Sequence, residues 1–401
     1  MNYNQTLAWL FKRLPMYQRV GAPAMRLGLD QMNRLSAALG NPHRGLKCIH
    51  IAGTNGKGST AHMLASVLQT AGYTVGLYTS PHLKDFRERI KINGQPIDKE
   101  IVVDFVNQNL ETLEAGSYSF FEVTVGMALS SFAKAQVDVA IIEVGLGGRL
   151  DATNIIIPIL SIITHISKDH QQFLGNTIEA IATEKAGIIK ENVPVVLGQN
   201  SESVQRVILD KAKSLSSPVF FANQIETYET DLIGDYQKEN LATAYMALQV
   251  LTELDVNESH MRDGLQAVAK NTGFQGRWQI LEDSPKVIAD VAHNEAGIAV
   301  VMNQLKSMTY HQLHIVFGMV DDKDFEQIQQ HLPKDATYYY CSPKVVRAKA
   351  VDQLFAEANR FGYNGKTYVS VSDALDNAKT VAYPSDIILV CGSLFVVAEV
   401  I

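Results

Sequence analysis

Short apolar runs alternate with longer amphipathic stretches along nearly the whole chain, and this alternation constrains the fold more than any other feature. Residues 48–52, 74–78, 137–144, 160–166 and 193–197 are rich in Val and Ile and are predicted to be strands. Residues 58–72, 98–115, 177–190 and 201–215 carry apolar side chains at helical spacing, with Thr177 and Ser201 as N-caps. The run 139–144, apolar save for Glu143, offers water no polar face. A strand of that kind is covered on both sides, as in a parallel sheet flanked by helices. The expected architecture is doubly wound α/β.

A second alternation begins after residues 271–276, where the composition turns to Asn, Thr, Gly and Gln. Residues 279–281, 287–291, 314–318, 337–341 and 387–391 read as strands, and 295–307, 351–360 and 371–382 as helices. Two unequal α/β domains are therefore expected, 1–275 and 276–401. A chain of 401 residues is long enough for two or three cores, and 46% hydrophobic against 19% charged residues excludes wholesale disorder. The balance of 35 Lys+Arg against 42 Asp+Glu gives a net charge of −7, so no broad attraction to nucleic acid is expected. The most apolar stretch, 155–163, is broken by Pro158 and Ser161 and reaches only about half the ~20 residues of a membrane-spanning helix. Residues 1–14 lack the apolar run and cleavage site of a signal peptide, so a cytoplasmic protein without a membrane partner is expected. Cys48, Cys341 and Cys391 have no metal-ligand spacing and read as buried free thiols.

The segment from Ile49 to Thr60 carries the strongest chemical signal. An apolar strand runs into Gly53-Thr54-Asn55-Gly56-Lys57-Gly58-Ser59 and then into a helix. In that geometry backbone N–H groups and a helix N-terminus converge on a phosphate. Lys57 would neutralise the β and γ phosphates, and Ser59 or Thr60 would offer a hydroxyl to Mg²⁺. The pattern departs from the strict Walker form, because Ile51 stands where the first glycine belongs and Gly58 follows the lysine.

Four further segments are expected at strand ends of the same sheet, where ligands of open α/β sheets collect: 79–83, Phe120-Phe121-Glu122, 143–154 and 164–170. Glu143 ends the most apolar strand, so its carboxylate is either a metal ligand or the partner of Arg149. His170 follows Lys168-Asp169 and is either a ligand or a structural imidazole. His165 reads as a core histidine and Lys185, by spacing alone, as a helix-surface charge.

Taken together, Gly53 to Ser59, Thr79-Ser80-Pro81-His82-Leu83, Glu143 to Asn154, Asp169-His170, Glu184-Lys185-Ala186-Gly187, Gly276-Arg277, Asp290-Val291-Ala292-His293-Asn294 and Phe317-Gly318-Met319 resemble the folylpolyglutamate synthase and dihydrofolate synthase family of Mur-type ATP-dependent amide ligases. The resemblance implies a phosphate-loop domain with a doubly wound, mostly parallel sheet, followed by a smaller Rossmann-like α/β domain. It implies an enzyme that phosphorylates the carboxylate of a folate or dihydropteroate with ATP and lets L-glutamate displace the phosphate. It places ATP on Thr54, Asn55, Gly56, Lys57, Gly58, Ser59, Asn240, Arg277 and Asp290. Two Mg²⁺ ions would be held by Ser59, Ser80, Glu143, His170 and Lys185, the lysine as a carbamate, since an ammonium has no lone pair to ligate a cation. The pterin substrate would lie near Leu27, Gly28, Phe120, Phe121, Leu150, Asp151 and Ala152, and the incoming glutamate near His293 and Ser393. Lys57, Lys185 and His293 would be the catalytic residues, in a monomer. The chain departs from the family's usual pattern at Arg26, Gln275 and Glu295. Two other functions compete: a Mur-type ligase acting on a non-folate carboxylate, and a non-ligase phosphate-loop NTPase, which has no use for the distal Asp290, His293 and Ser393.

Overall fold

A computed structural model of the chain describes residues 1–16, 28–321, 323 and 325–401. Arg26 and Leu27 therefore lie outside the described residues. The chain forms two compact units. Among the described residues the first comprises 1–16, 28–231 and Gln237–Phe274, and the second Leu232–Tyr236 and 275–401.

In the first unit eight strands form one sheet: β1 (Cys48–Ala52), β2 (Val75–Tyr78), β3 (Ile90–Ile92), β4 (Gln95–Pro96), β5 (Val139–Glu143), β6 (Leu160–Ile163), β7 (Val195–Leu197) and β8 (Val219–Phe221). Their spatial order is β4-β3-β2-β5-β1-β6-β7-β8. The six strands from β2 to β8 are parallel, and β3 and β4 form an antiparallel edge. Every residue of β1, β2, β5, β6 and β7 is buried, which explains their unbroken apolar character. The helix Lys57–Thr70 is buried along most of its length and packs on β2 and β5 and against the helices Gln237–Val250, Glu258–Leu265 and Val268–Thr272. Because β1 sits between β5 and β6, its carboxyl end opens where the chain's crossovers diverge to either side, the usual ligand position in such sheets.

In the second unit β9 (Gln279–Asp283), β10 (Lys286–Ala289), β11 (Leu313–Phe317), β12 (Thr337–Tyr340), β13 (Gly365–Thr367) and β14 (Ile387–Cys391) form a sheet ordered β13-β12-β11-β14-β10-β9. It is parallel except for β9. Its core is a cluster of Ile, Leu, Tyr and Phe side chains around Phe317 and Phe325. The three cysteines are free and buried, and no helix among the described residues is long and apolar enough to cross a membrane.

Four local expectations are corrected. Residues 98–115 form two helices, Lys99–Gln108 and Leu110–Ala115, because the Asn109 side chain donates to the Phe105 carbonyl at 2.8 Å and competes with the helical ladder. The helix begun at Thr177 ends at Ala186, where Gly187 lets Arg149 approach so closely that a Cβ would stand 2.3 Å from the Arg149 Cβ. Phe120-Phe121-Glu122 is not a strand end but the first turn of the helix Phe120–Lys134, fixed by a Ser119/Glu122 capping box whose spacing is visible in the sequence. His165 lies beyond β6, half-buried, with Nδ1 3.2 Å from the Gln199 carbonyl, rather than inside the core.

Candidate active site

β1 leads into a loop that only glycine can form. Gly53 and Gly56 adopt φ values of +155° and +88°. A Cβ on Gly53 would meet the Thr164 hydroxyl oxygen at 1.8 Å, and one on Gly56 the Asn240 Oδ1 at 2.2 Å. The loop is stitched to the end of β6. The Thr54 and Asn55 amides donate to the His165 carbonyl at 2.8 and 3.2 Å, and the Thr164 hydroxyl donates to the Asn55 carbonyl at 2.8 Å. Gly56 caps the helix Lys57–Thr70 in the left-handed region, so the helix N-terminus opens onto the loop.

Two lysines converge there. Lys57 Nζ donates to the carbonyls of Gly53 and Thr54 at 2.9 and 3.2 Å. Lys185 Nζ reaches the same Gly53 carbonyl at 2.8 Å from the helix Ile178–Ala186. Lys185 is 4% exposed. Burial, and then the Lys57 charge, push its pKa down to about 7, with Asp169 and Asp151 pulling the other way. Burial thus favours the uncharged amine of Lys185. Its reading as a surface charge is corrected.

Glu143 ends β5 in register with Ile51 of β1 and is 5% exposed. Its Oε2 accepts the Ser80 amide at 3.0 Å. A Cβ on Gly58 would lie 3.9 and 4.0 Å from its two oxygens, which places the carboxylate beside the start of the helix Lys57–Thr70. Arg149 instead pairs with Glu184 at 2.9 Å. Ser59, 2% exposed, stands on the first turn of the phosphate helix. His170 caps a short helix at φ 49°, with Nε2 3.9 Å from Asp169. Among the described residues no three His, Cys, Asp or Glu side chains gather to hold a metal alone. The available donors are hydroxyl, carboxylate and phosphate-loop groups beside a lysine that is readily neutral. That hard-oxygen set, completed by substrate phosphates, fits Mg²⁺ rather than a metal with an all-protein cage.

Of the residues expected around the pterin, Gly28 has φ +128°, and among the described residues nothing lies within 4 Å of where its Cβ would stand. Phe120 is 3% exposed, with its ring stacked on Phe11 at 5.6 Å and the Arg89 guanidinium 5.3 Å from its centroid. Phe121 is half-buried and covers Gly145, where a Cβ would meet its ring at 2.4 Å. Leu150 is half-buried, and Asp151 and Ala152 are buried. The Asp151 carboxylate accepts the amides of Leu146 and Thr153 at 2.9 and 3.0 Å, and burial raises its pKa against those bonds.

In the second unit Asp290, just past β10, accepts the Tyr236 hydroxyl at 2.6 Å and the amides of Trp278 and Ala292, each at 2.8 Å. Burial raises its pKa, and the Arg277 charge works against that rise. His293 Nδ1 lies 2.9 Å from the Val291 carbonyl, so that nitrogen carries a proton and donates. Ser393 follows β14, neighbour of β10, and caps the helix Leu394–Ala398 by accepting the Phe395 amide at 3.1 Å. The Gly392 amide donates to the Ala292 carbonyl at 3.1 Å, which joins the loops that carry His293 and Ser393.

The structure therefore groups Lys57, Ser59, Ser80, Glu143, Lys185 and Asn240 about one loop, and Arg277 with Asp290 and His293 with Ser393 in the second unit. The segment 164–170 is expected at the site, but the role of the Thr164 hydroxyl in fixing the loop is not. A threonine at a strand end is too ordinary to signal that role.

Residues 51–240 match the Mur ligase middle domain and 276–394 the Mur ligase glutamate ligase domain. Sheet, phosphate loop and glutamate-ligase module together define a Mur-type ligase. Within that class, the chain belongs to the folylpolyglutamate synthase/dihydrofolate synthase family. It is similar to the Bacillus subtilis dihydrofolate synthase/folylpolyglutamate synthase, 32% identical over 99% of this chain and 98% of that protein. It is 34% identical to a probable bifunctional folylpolyglutamate synthase/dihydropteroate synthase of Haloferax volcanii, of which it spans only 50%. Among solved structures, E. coli FolC in complex with DHPP and ADP superposes with a TM-score of 0.89 at 32% identity, covering 100% of this chain and 97% of that one. A bifunctional folylpolyglutamate synthase/dihydrofolate synthase with Mn, AMPPNP and L-glutamate bound gives 0.85 at 31% identity, covering 98% and 97%.

Proposed function

We propose that the loop from Gly53 to Ser59 holds the ATP phosphates and that the groups around it drive the joining of L-glutamate to a folate. The chain is an ATP-dependent, ADP-forming ligase that adds L-glutamate to a folate. We assign it dihydropteroate as a second acceptor. The observation that carries the site reading is the convergence of Lys57, Lys185 and Glu143 at the ends of two adjacent parallel strands and one flanking helix.

The chemistry requires two anions, a carboxylate and a triphosphate, to approach each other, so placed cations must offset their repulsion. Lys57 swings from its loop carbonyls to the phosphates, and the helix N-terminus and loop amides complete the cradle. Thr54, Asn55, Gly56 and Gly58 supply backbone, and Asn240, Arg277 and Asp290 hold the remainder of the nucleotide. Two Mg²⁺ ions, when bound, supply charge neutralisation, with Ser59, Ser80, Glu143, His170 and Lys185 as the holding residues. The neutral Lys185 amine adds CO₂ and loses a proton, giving a carbamate whose oxygens can ligate. The substrate's carboxylate oxygen attacks the γ-phosphorus and ADP leaves. The amine of glutamate, held by His293 and Ser393, then attacks the acyl carbon and phosphate leaves, the amine's proton passing to His293. Gly28, Phe120, Phe121, Leu150, Asp151 and Ala152 surround the pterin end, Phe120 from within the wall and Phe121 at its surface. We assign residues 1–275 to the first domain and 276–401 to the second, in a cytoplasmic monomer.

The deciding experiment supplies ATP, Mg²⁺ and glutamate with either 7,8-dihydropteroate or tetrahydrofolate, and measures ADP and product mass. Extension of both is expected. Extension of neither would sink the folate reading, and extension of tetrahydrofolate alone would remove the second acceptor.

A further inference from the structure

β1 is apolar at Cys48, Ile49, Ile51 and Ala52, yet its central residue is His50, wholly buried. His50 Nε2 lies 2.9 Å from the Thr153 hydroxyl oxygen, and that hydroxyl lies 2.5 Å from Asp151 Oδ1. The directions of both bonds follow by elimination. The carboxylate can only accept, so the Thr153 hydroxyl donates to it, and the hydroxyl oxygen must accept from His50. His50 is therefore the Nε2–H tautomer, and its Nδ1 has no hydrogen-bond partner among the described residues. A buried imidazole with one nitrogen unsatisfied is a poor core residue, and an aliphatic side chain would suit the strand better. What the imidazole gains is one end of a directed chain, His50 to Thr153 to Asp151. Donation into the hydroxyl oxygen strengthens the bond that the hydroxyl makes to the carboxylate, and 2.5 Å is at the short end for such bonds.

The chain fixes Asp151 completely at one oxygen. Oδ1 takes both the Thr153 amide and the Thr153 hydroxyl. Oδ2 takes the Leu146 amide at 2.9 Å, the Gly145 amide also acts on the carboxylate, and of the roughly four acceptor positions one is left for a ligand. We infer that His50 is a positioning residue which, through Thr153, aims Asp151 Oδ2 at an N–H donor of the pterin ring. A 2-amino-4-oxopterin presents adjacent N–H and NH₂ donors on one edge, the chemistry that a fixed carboxylate oxygen recognises. This rests on the placement of Asp151 in the pterin site made above.

The test is steady-state kinetics with whichever pterin substrate the wild type extends. Thr153→Val removes the hydroxyl at constant shape, and His50→Leu removes the donor. Each is expected to raise KM for the pterin substrate about tenfold, the loss of one well-placed hydrogen bond, with KM for ATP and for glutamate unchanged. The double variant should be no worse than Thr153→Val alone, since both break one chain. His50→Gln, which returns an N–H near the Nε2 position, should recover most of the loss. An unchanged pterin KM in Thr153→Val and His50→Leu, with only a lower melting temperature, would overturn the inference. Asp151→Asn, assayed alongside, separates the two levels. If it raises the pterin KM while Thr153→Val does not, the positioning chain fails alone; if it leaves that KM unchanged, the placement of Asp151 fails with it. Should His50→Leu not fold, ring ¹⁵N shifts of His50 in the wild-type protein decide. A pyrrole-type Nε2 and pyridine-type Nδ1 are expected, and the opposite tautomer overturns the chain.

Discussion

The loop after β1 and the loops after β10 and β14 occupy equivalent places, the carboxyl ends of central parallel strands, but they are built from opposite materials. After β1 the work is done by backbone and by cations: two glycines at positive φ and two lysines that share one carbonyl. After β10 and β14 it is done by short polar side chains that fasten helix ends. Asn294 accepts the Gly297 amide at 2.8 Å, and Ser393 accepts the Phe395 amide at 3.1 Å. A triphosphate presents several charges in a small volume, which backbone amides and ammonium groups meet best. An amino acid brings both signs and an amine that must be relieved of a proton, so acceptors with fixed orientation serve better. One architecture is thus used twice in a chain, once with backbone and cations at the strand ends and once with short polar acceptors.

The contrast predicts a steep hierarchy of effects. Lys57→Ala removes the cation nearest the phosphate loop and is expected to lower turnover at least about a thousandfold, with secondary structure retained by circular dichroism. Wild-type-like turnover in that variant would show that the loop is not the phosphate site. Lys185→Ala is expected to lose about a hundredfold, partly restored by short carboxylates. Intact-mass measurement of the wild type should show one added CO₂.

Lys185 also sets a pH dependence. Its ordinary pKa of 10.5 falls to about 7 in the folded chain, so between those values the unfolded state holds a proton that the folded state has released. Stability therefore rises with pH across that window. In CO₂-depleted buffer, wild type should gain stability relative to Lys185→Met as pH is raised from about 7 toward 10, and parallel curves would contradict the buried, uncharged amine.

Much of this was legible from residue order. The strands announced themselves because a sheet covered on both faces leaves no polar position, and the phosphate loop because Gly-Lys-Gly-Ser between strand and helix is more than a turn requires. What escaped was whatever depends on residues distant in sequence. Lys185 has the spacing of a surface charge and is buried only because Gly148 and Gly187 let its helix close on the loop that carries Arg149. Phe120 looked like a ring at a strand end, although Ser119 and Glu122 already spelled a helix start. The chain His50–Thr153–Asp151 spans 103 residues between its first two members, and no local pattern marks it.

A smaller effect is expected where backbone shape alone is altered. Gly53→Ala must displace the Thr164 hydroxyl, since the new Cβ would stand 1.8 Å from it. The adjustment should cost about 1–3 kcal/mol in denaturant unfolding and raise KM for ATP, leaving KM for glutamate alone. An equal rise in both would mean that the loop serves more than the nucleotide.

The smallest change probes the other loop. Ser393→Ala removes an N-cap, which costs about 1 kcal/mol, and should raise KM for glutamate while KM for ATP holds. Loss of the cap and loss of a glutamate contact would both follow from that substitution, so it does not by itself distinguish them. Ser393→Asp does, because aspartate caps a helix as well as serine and complements the helix dipole. Its melting temperature should match wild type, yet the added negative charge would face the carboxylates of the incoming amino acid. If Ser393 contacts glutamate, Ser393→Asp is folded and binds it worse than Ser393→Ala does. If the serine only fastens the helix, Ser393→Asp restores glutamate KM along with stability, and the second loop loses its assigned ligand.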